Sequence, residues 1–243
     1  MRNLIIAGLT ASGKSTQAKR LAGVLGLRYV SGSAIRAELL GISAETRADS
    51  QFWLDRNRGG AMDRERLVRN DPRDTDVEEE LIAMARAREG CAFDTWVMPW
   101  LFHEQSLCVY LRSPSRTRAR RLCTESSDDS FENVLQKLEE KDSLARQFFL
   151  ETYGVDIVFD MSPFDVVIDS GDRAEDAPGQ IASISHHLAT ISRLAFSGDV
   201  AGLQRVILSL EKIDEHNVQL WISPGLPSRV DNEGRSKDGS AKR

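Results

Sequence analysis

Apolar positions fall into short runs separated by longer stretches in which they recur every three or four residues. The run Leu4-Ile5-Ile6-Ala7 predicts a buried strand over 3–7, followed by a helix over 14–25 that ends at Gly26. Arg28 to Ser31 reads as a second short strand, and Ser31 or Ser33 can cap a helix over about 33–40. A polar, arginine-rich stretch, 43–73, follows; Thr75 then opens a helix to about Arg88, which Gly90 ends. Strands are predicted at 91–94, 106–111 and 164–168. Between the last two lie a helix that starts near Pro114 and a long one over about 131–152. Further helices are expected over about 174–196 and 200–216.

This alternation predicts an α/β fold: a parallel five-stranded sheet, helices on both faces, and ligand at the carboxyl ends of the strands. The expected organisation is one domain over 1–196, a helical extension over 197–222, and a disordered tail over 223–243, rich in Gly, Ser, Pro and charge.

Composition narrows the partners. The 243 residues carry a net charge of -5, which argues against nucleic acid as a partner. No stretch is apolar enough for a membrane span, and the N-terminal apolar run is too short for a signal segment. Cys91, Cys108 and Cys123 lack metal-like spacing and read as thiols in a reducing, cytoplasmic setting.

The sharpest chemical signal is GLTASGKST, residues 8–16. Gly8, then Gly13-Lys14-Ser15 after four residues, is the P-loop pattern, placed between a strand and a helix as that motif requires. The glycines let Thr10, Ala11 and Ser12 curl so that backbone N–H groups face a polyphosphate. Lys14 reaches the β- and γ-phosphates, Ser15 ligates Mg²⁺, and Thr16 continues into a helix whose positive end faces the anion. The expected ligands are therefore a nucleoside triphosphate and Mg²⁺. Asp94 ends a strand at the ligand edge. It reads as a capping or turn aspartate, or as a group that helps hold Mg²⁺ or orients an acceptor hydroxyl. Trp96 and Trp100, four residues apart, read either as core or as a wall for the acceptor. Arg116, Arg118, Arg120 and Arg121 cannot all face one ligand; Arg118 and Arg121 share a helix face at i, i+3.

Four segments together resemble the nucleoside monophosphate kinases, and within them the cytidylate kinase-like family: GLTASGKST, LRYVSGSAIRAEL, VYLRSPSRTRARRL, and the stretch from Lys141 to Ser170 with its Tyr153-Gly154-Val155-Asp156. The resemblance spans roughly 1–190. It implies a P-loop kinase fold with a small helical lid. It assigns Arg118 and Arg121 to the nucleotide or its phosphates, and Arg146 to the acceptor phosphate or the transferring phosphates. Ser31, Arg36, Asp94, Trp96 and Trp100 fall at acceptor-binding positions. The chain also departs from the family. Trp96 stands where an arginine is usual, Ala37 follows Arg36 where an arginine is usual, and Phe148 replaces another arginine of the long helix. An arginine fork grips a phosphate bidentately; tryptophan and phenylalanine cannot. Arg56, Arg58, Arg64 and Arg66 are the candidates to replace them.

The resemblance implies γ-phosphate transfer from ATP to CMP or a related pyrimidine nucleotide. Two readings stand beside it: a kinase of a non-nucleotide, hydroxyl-bearing metabolite or sugar, and a nucleotide-binding regulatory protein without turnover.

Overall fold

The computed structural model describes residues 2–43, 73–87, 90–102, 104–123, 129–170, 177–209 and 219–238. In chain order the elements are β1 (Asn3–Ala7), α1 (Lys14–Leu25), β2 (Arg28–Ser31), α2 (Gly32–Leu39), α3 (Arg73–Arg86), β3 (Cys91–Thr95), α4 (Met98–Leu101) and β4 (Ser106–Arg112). They continue with α5 (Ser115–Cys123), α6 (Phe131–Tyr153), β5 (Val166–Asp169), α7 (Ala177–Ser197), α8 (Val200–Ser209), β6 (Gln219–Ile222) and α9 (Leu226–Asp238). Arg56, Arg58, Arg64 and Arg66 lie outside the described residues.

The sheet order is β2-β3-β1-β4-β5-β6. The first five strands run parallel. Every residue of β1 is buried, because both faces of the sheet are covered. Leu4 and Ile6 point into one core with Ala18 and Leu21 of α1 and with Leu188 and Ile191 of α7. Ile5 and Ala7 point into the other, with Val77, Leu81 and Ala85 of α3. From β1 the chain passes beyond β3 to β2 on one side, and after β3 it crosses β1 to β4 on the other, so a crevice opens at the carboxyl ends of β1 and β3. The P-loop and Asp94 both lie there. α5 and α6 pack on each other through Ala119, Leu122, Val134 and Leu138, with Ala11 of the P-loop against them.

Two expectations are corrected. The sheet has six strands, not five: β6 pairs antiparallel with β5, Val167 opposite Trp221. Four residues are too few for an alternating pattern to stand out, so 219–222 passed as the end of a helical extension. The tail is also ordered at its start. α9 buries Leu226 and Val230, one helical turn apart, in the core that holds Leu4 and Ile6. Polar composition concealed that pair. Between them, Arg229 pairs with the buried carboxylate of Asp165 at 2.9 Å and also donates to the Ser106 carbonyl. Cys108 N–H donates to the same Asp165 carboxylate at 2.8 Å. Among the described residues, no helix is long and apolar enough to cross a membrane.

Truncation after Ile222 removes two buried apolar side chains and the partner of a buried carboxylate. It is expected to cost about 4 kcal/mol or more. Thermal unfolding of the truncated and full chains checks this; equal melting temperatures would contradict the packing of α9.

Candidate active site

The P-loop is shaped by two glycines and held by two arginines. Gly8 has φ 153°, and a Cβ there would sit 2.6 Å from the Leu111 carbonyl oxygen and 2.7 Å from Ser12 Oγ. Gly13 has φ 95° at the start of α1. Ala11 takes the left-handed region without being glycine, at φ 59°. Its carbonyl accepts from Arg121 Nη1 at 3.1 Å, and the Thr10 carbonyl accepts from Arg118 Nη1 at 3.0 Å. Peptide carbonyls drawn toward α5 leave the opposite, N–H edge of the loop for an anion.

The resemblance puts Arg118 and Arg121 on the nucleotide phosphates; in the structure both donate to carbonyls of the loop itself. Arg118 is buried and also donates to the Ser113 carbonyl at 3.0 Å and to Asp142 at 2.6 Å. Arg121 also donates to Ser170 Oγ at 3.2 Å. Both hold the loop from behind and neither lines the cavity in front of it. Burial pushes the Asp142 carboxyl up from its ordinary value, against the pull of Arg118.

That cavity, about 250 Å³, lies between the P-loop, the end of β3, α2, α3 and α6. Thr10, Ala11, Lys14 and Ser15 form its donor end. Ser33, Arg36, Glu78, Thr95 and Trp96 line it as well, and α6 contributes Lys141, Leu144, Ala145, Phe148 and Phe149. Lys14 Nζ donates to the Leu9 carbonyl at 3.2 Å and lies 5.4 Å from the centre of the Trp96 ring. Burial lowers the Lys14 pKa, and the Asp94 carboxylate opposes that shift. Asp94 is 4% exposed at the end of β3 and accepts from the Tyr29 hydroxyl at 3.2 Å. A hydroxyl at a helix start and a carboxylate are hard oxygen donors, so Ser15 and Asp94 fit Mg²⁺ shared with phosphate oxygens.

The other sequence-predicted residues divide. Arg36 and Trp96 line the cavity. Ser31 does not; its Oγ accepts from Ala34 N–H and caps α2, while Ser33 faces the cavity. Trp100 does not line it either. α4 starts only at Met98, so the two tryptophans share no helical face; Trp100 packs edge-on against Phe164 at 4.9 Å and donates to Asp160. Arg146 forms a two-pronged pair with Asp156, at 3.0 and 2.6 Å, away from the cavity. Ser12 is buried and Thr16 is exposed on α1.

Sequence reasoning missed Glu78, Thr95 and the α6 wall. The wall had a legible signal: 141, 144, 145, 148 and 149 repeat at helical spacing on one face. Trp96 and Phe149 centroids are 6.0 Å apart and those of Phe148 and Phe149 5.2 Å, so aromatic rings run continuously along one side.

Gly8→Ala is expected to reduce ATP affinity at least tenfold, because the new methyl collides with backbone and the loop must open. Isothermal titration with ATP checks this; unchanged affinity would show that the loop geometry is not required.

A model described as the cytidylate kinase-like family matches residues 4–172. The cytidylate kinase of Sulfolobus acidocaldarius is 30% identical over 174 residues, covering 69% of this chain and 84% of that protein. That of Pyrobaculum islandicum is 30% identical over 169 residues, covering 69% and 83%. Among solved structures, an uncharacterized protein from Eubacterium ventriosum superposes with a TM-score of 0.50 at 13% identity, over 77% of this chain and 96% of that one; the likeness is one of fold.

Proposed function

The chain belongs to the cytidylate kinase-like family and is a P-loop kinase; from that premise we propose that it moves the γ-phosphate of ATP to the hydroxyl of a small acceptor bound between Arg36 and Trp96. The observation that carries this reading is the meeting of Lys14, Ser15, Arg36 and Trp96 around one cavity, with the Asp94 carboxylate at the end of β3 acting on the Lys14 charge. The acceptor oxygen bonds to the γ-phosphorus, the bond to the β–γ bridging oxygen breaks with its electron pair leaving on ADP, and the hydroxyl proton passes to Asp94 or to water. Mg²⁺, when held by Ser15 and Asp94, neutralises charge on the phosphate oxygens. Lys14 binds the same phosphates, and the P-loop amides hold them in line with the acceptor.

CMP or a related pyrimidine nucleotide is the acceptor that the family suggests. The second reading, a hydroxyl-bearing molecule that is not a nucleotide, is favoured by Trp96 and Phe148. Both line the cavity at positions where the resembling kinases carry arginine. A third reading, nucleotide binding without turnover, leaves the buried Asp94 carboxylate, in whose field Lys14 lies, without a role.

Lys14→Ala is expected to abolish turnover with the melting temperature little changed, since it removes the cation that meets the β- and γ-phosphates. Asp94→Asn is expected to lower kcat by about 100-fold, more than it weakens ATP binding. ADP release, measured over nucleoside monophosphates and small alcohols, tests both. Full activity in Lys14→Ala would sink the kinase reading. Unchanged kcat in Asp94→Asn would leave that residue as a structural acceptor for Tyr29.

A further inference from the structure

Asp94 is a carboxylate almost closed off from water, and a neighbouring strand reaches it. It is 4% exposed, and its Oδ2 accepts from the Tyr29 hydroxyl at 3.2 Å. β2 and β3 run parallel with Ser31 opposite Asp94 and Tyr29 opposite Ala92. Residues two apart on a strand share a face, so Tyr29 and Asp94 stand diagonal to each other on one face of the sheet.

That face is the one α1 covers. Tyr29 packs against the core that joins Ala18, Leu21 and Ala22 of α1 to Ala92 of β3. Lys19 Nζ, also on α1, lies 5.6 Å from the centre of the Tyr29 ring. The same helix begins with Lys14, whose charge lies in the field of Asp94. One helix thus carries the cation of the donor end and braces the ring whose hydroxyl reaches the acid.

The last torsion of an aspartate is broad, so a carboxylate at a strand end turns unless something holds it. A hydroxyl bonded to one oxygen selects an orientation and keeps the other oxygen for a cation. Hydrogen-bond partners of metal-binding carboxylates act in this way, and their loss weakens the metal by about an order of magnitude or more.

We propose that Tyr29 is a positioning residue: its hydroxyl fixes the orientation of the Asp94 carboxylate toward the Mg²⁺ that arrives with ATP. This inference rests on the kinase reading and on Asp94 as the group that, with Ser15, holds that ion.

The test uses the full chain and Tyr29→Phe, which removes one oxygen and keeps the packed ring, so the melting temperature is expected to change little. Calorimetric titration compares ATP with Mg²⁺ against ATP in a chelator. The gain in affinity that Mg²⁺ brings is expected to fall about fivefold in Tyr29→Phe, while metal-free ATP binds both proteins alike. Asp94→Asn is expected to lose at least as much. Adding Tyr29→Phe to it is expected to cost less than about twofold more, because the hydroxyl acts through that carboxylate. An unchanged Mg²⁺ gain in Tyr29→Phe would overturn the proposal, as would a wild type whose ATP affinity Mg²⁺ does not alter. So would a further fivefold loss in the double variant, or an equal loss with and without Mg²⁺, the mark of a general structural defect. Absence of ATP binding by the wild type in both conditions would overturn the kinase reading itself.

Discussion

The site depends first on the grip of α5 on the carbonyls of the P-loop. An alanine in the left-handed region, such as Ala11, is disfavoured by roughly 1–2 kcal/mol. Arg118 and Arg121 supply what the loop lacks, each donating to one carbonyl of the turn. Arg118 can do so while buried because Asp142 neutralises it and the Ser113 carbonyl takes a further donor. The phosphate-binding edge is thereby formed from the side away from the ligand. Two arginines that look like phosphate ligands in the sequence hold carbonyls of the loop.

The rest of the catalytic arrangement follows from the sheet. β1 and β3 are neighbours, with Ile6 opposite Asp94, so the P-loop after β1 and the acid at the end of β3 emerge side by side. α6 then closes one side of the cavity with Lys141 and its aromatic residues. Its far end is fixed independently. Phe149 packs with Val97, Val155 and Ile157, and Arg146 ties the helix to Asp156 just past its C-cap at Gly154. The donor half of the site is thus assembled from fixed-spacing motif residues, whereas the acceptor half is assembled from side chains on three helices and a strand end.

That difference explains what could be read in advance. The strand–loop–helix at 3–25 was legible because its glycines, lysine and hydroxyl must occur at set spacing, and the buried runs of β1, β3 and β4 set the parallel sheet. The roles of Arg118, Arg146 and Trp100 were not. An arginine's reach is compatible with a ligand, a carbonyl or a carboxylate, and only tertiary placement chooses among them. Thr95 gave no signal because a single hydroxyl at a strand end is ordinary until its partners are counted. β6 and α9 were missed because two or three buried residues in a polar segment suffice to dock it when the core is already built.

The claim that the P-loop is held ready by α5 can be tested by backbone order parameters for residues 9–12 in the nucleotide-free protein, wild type against Arg121→Ala. A loop pinned by its carbonyls should give order parameters near the rigid-backbone value of about 0.85 in the wild type and fall toward about 0.6 in the variant. A wild-type loop that is already flexible without nucleotide, or one whose order is unchanged when Arg121 is removed, would contradict the account.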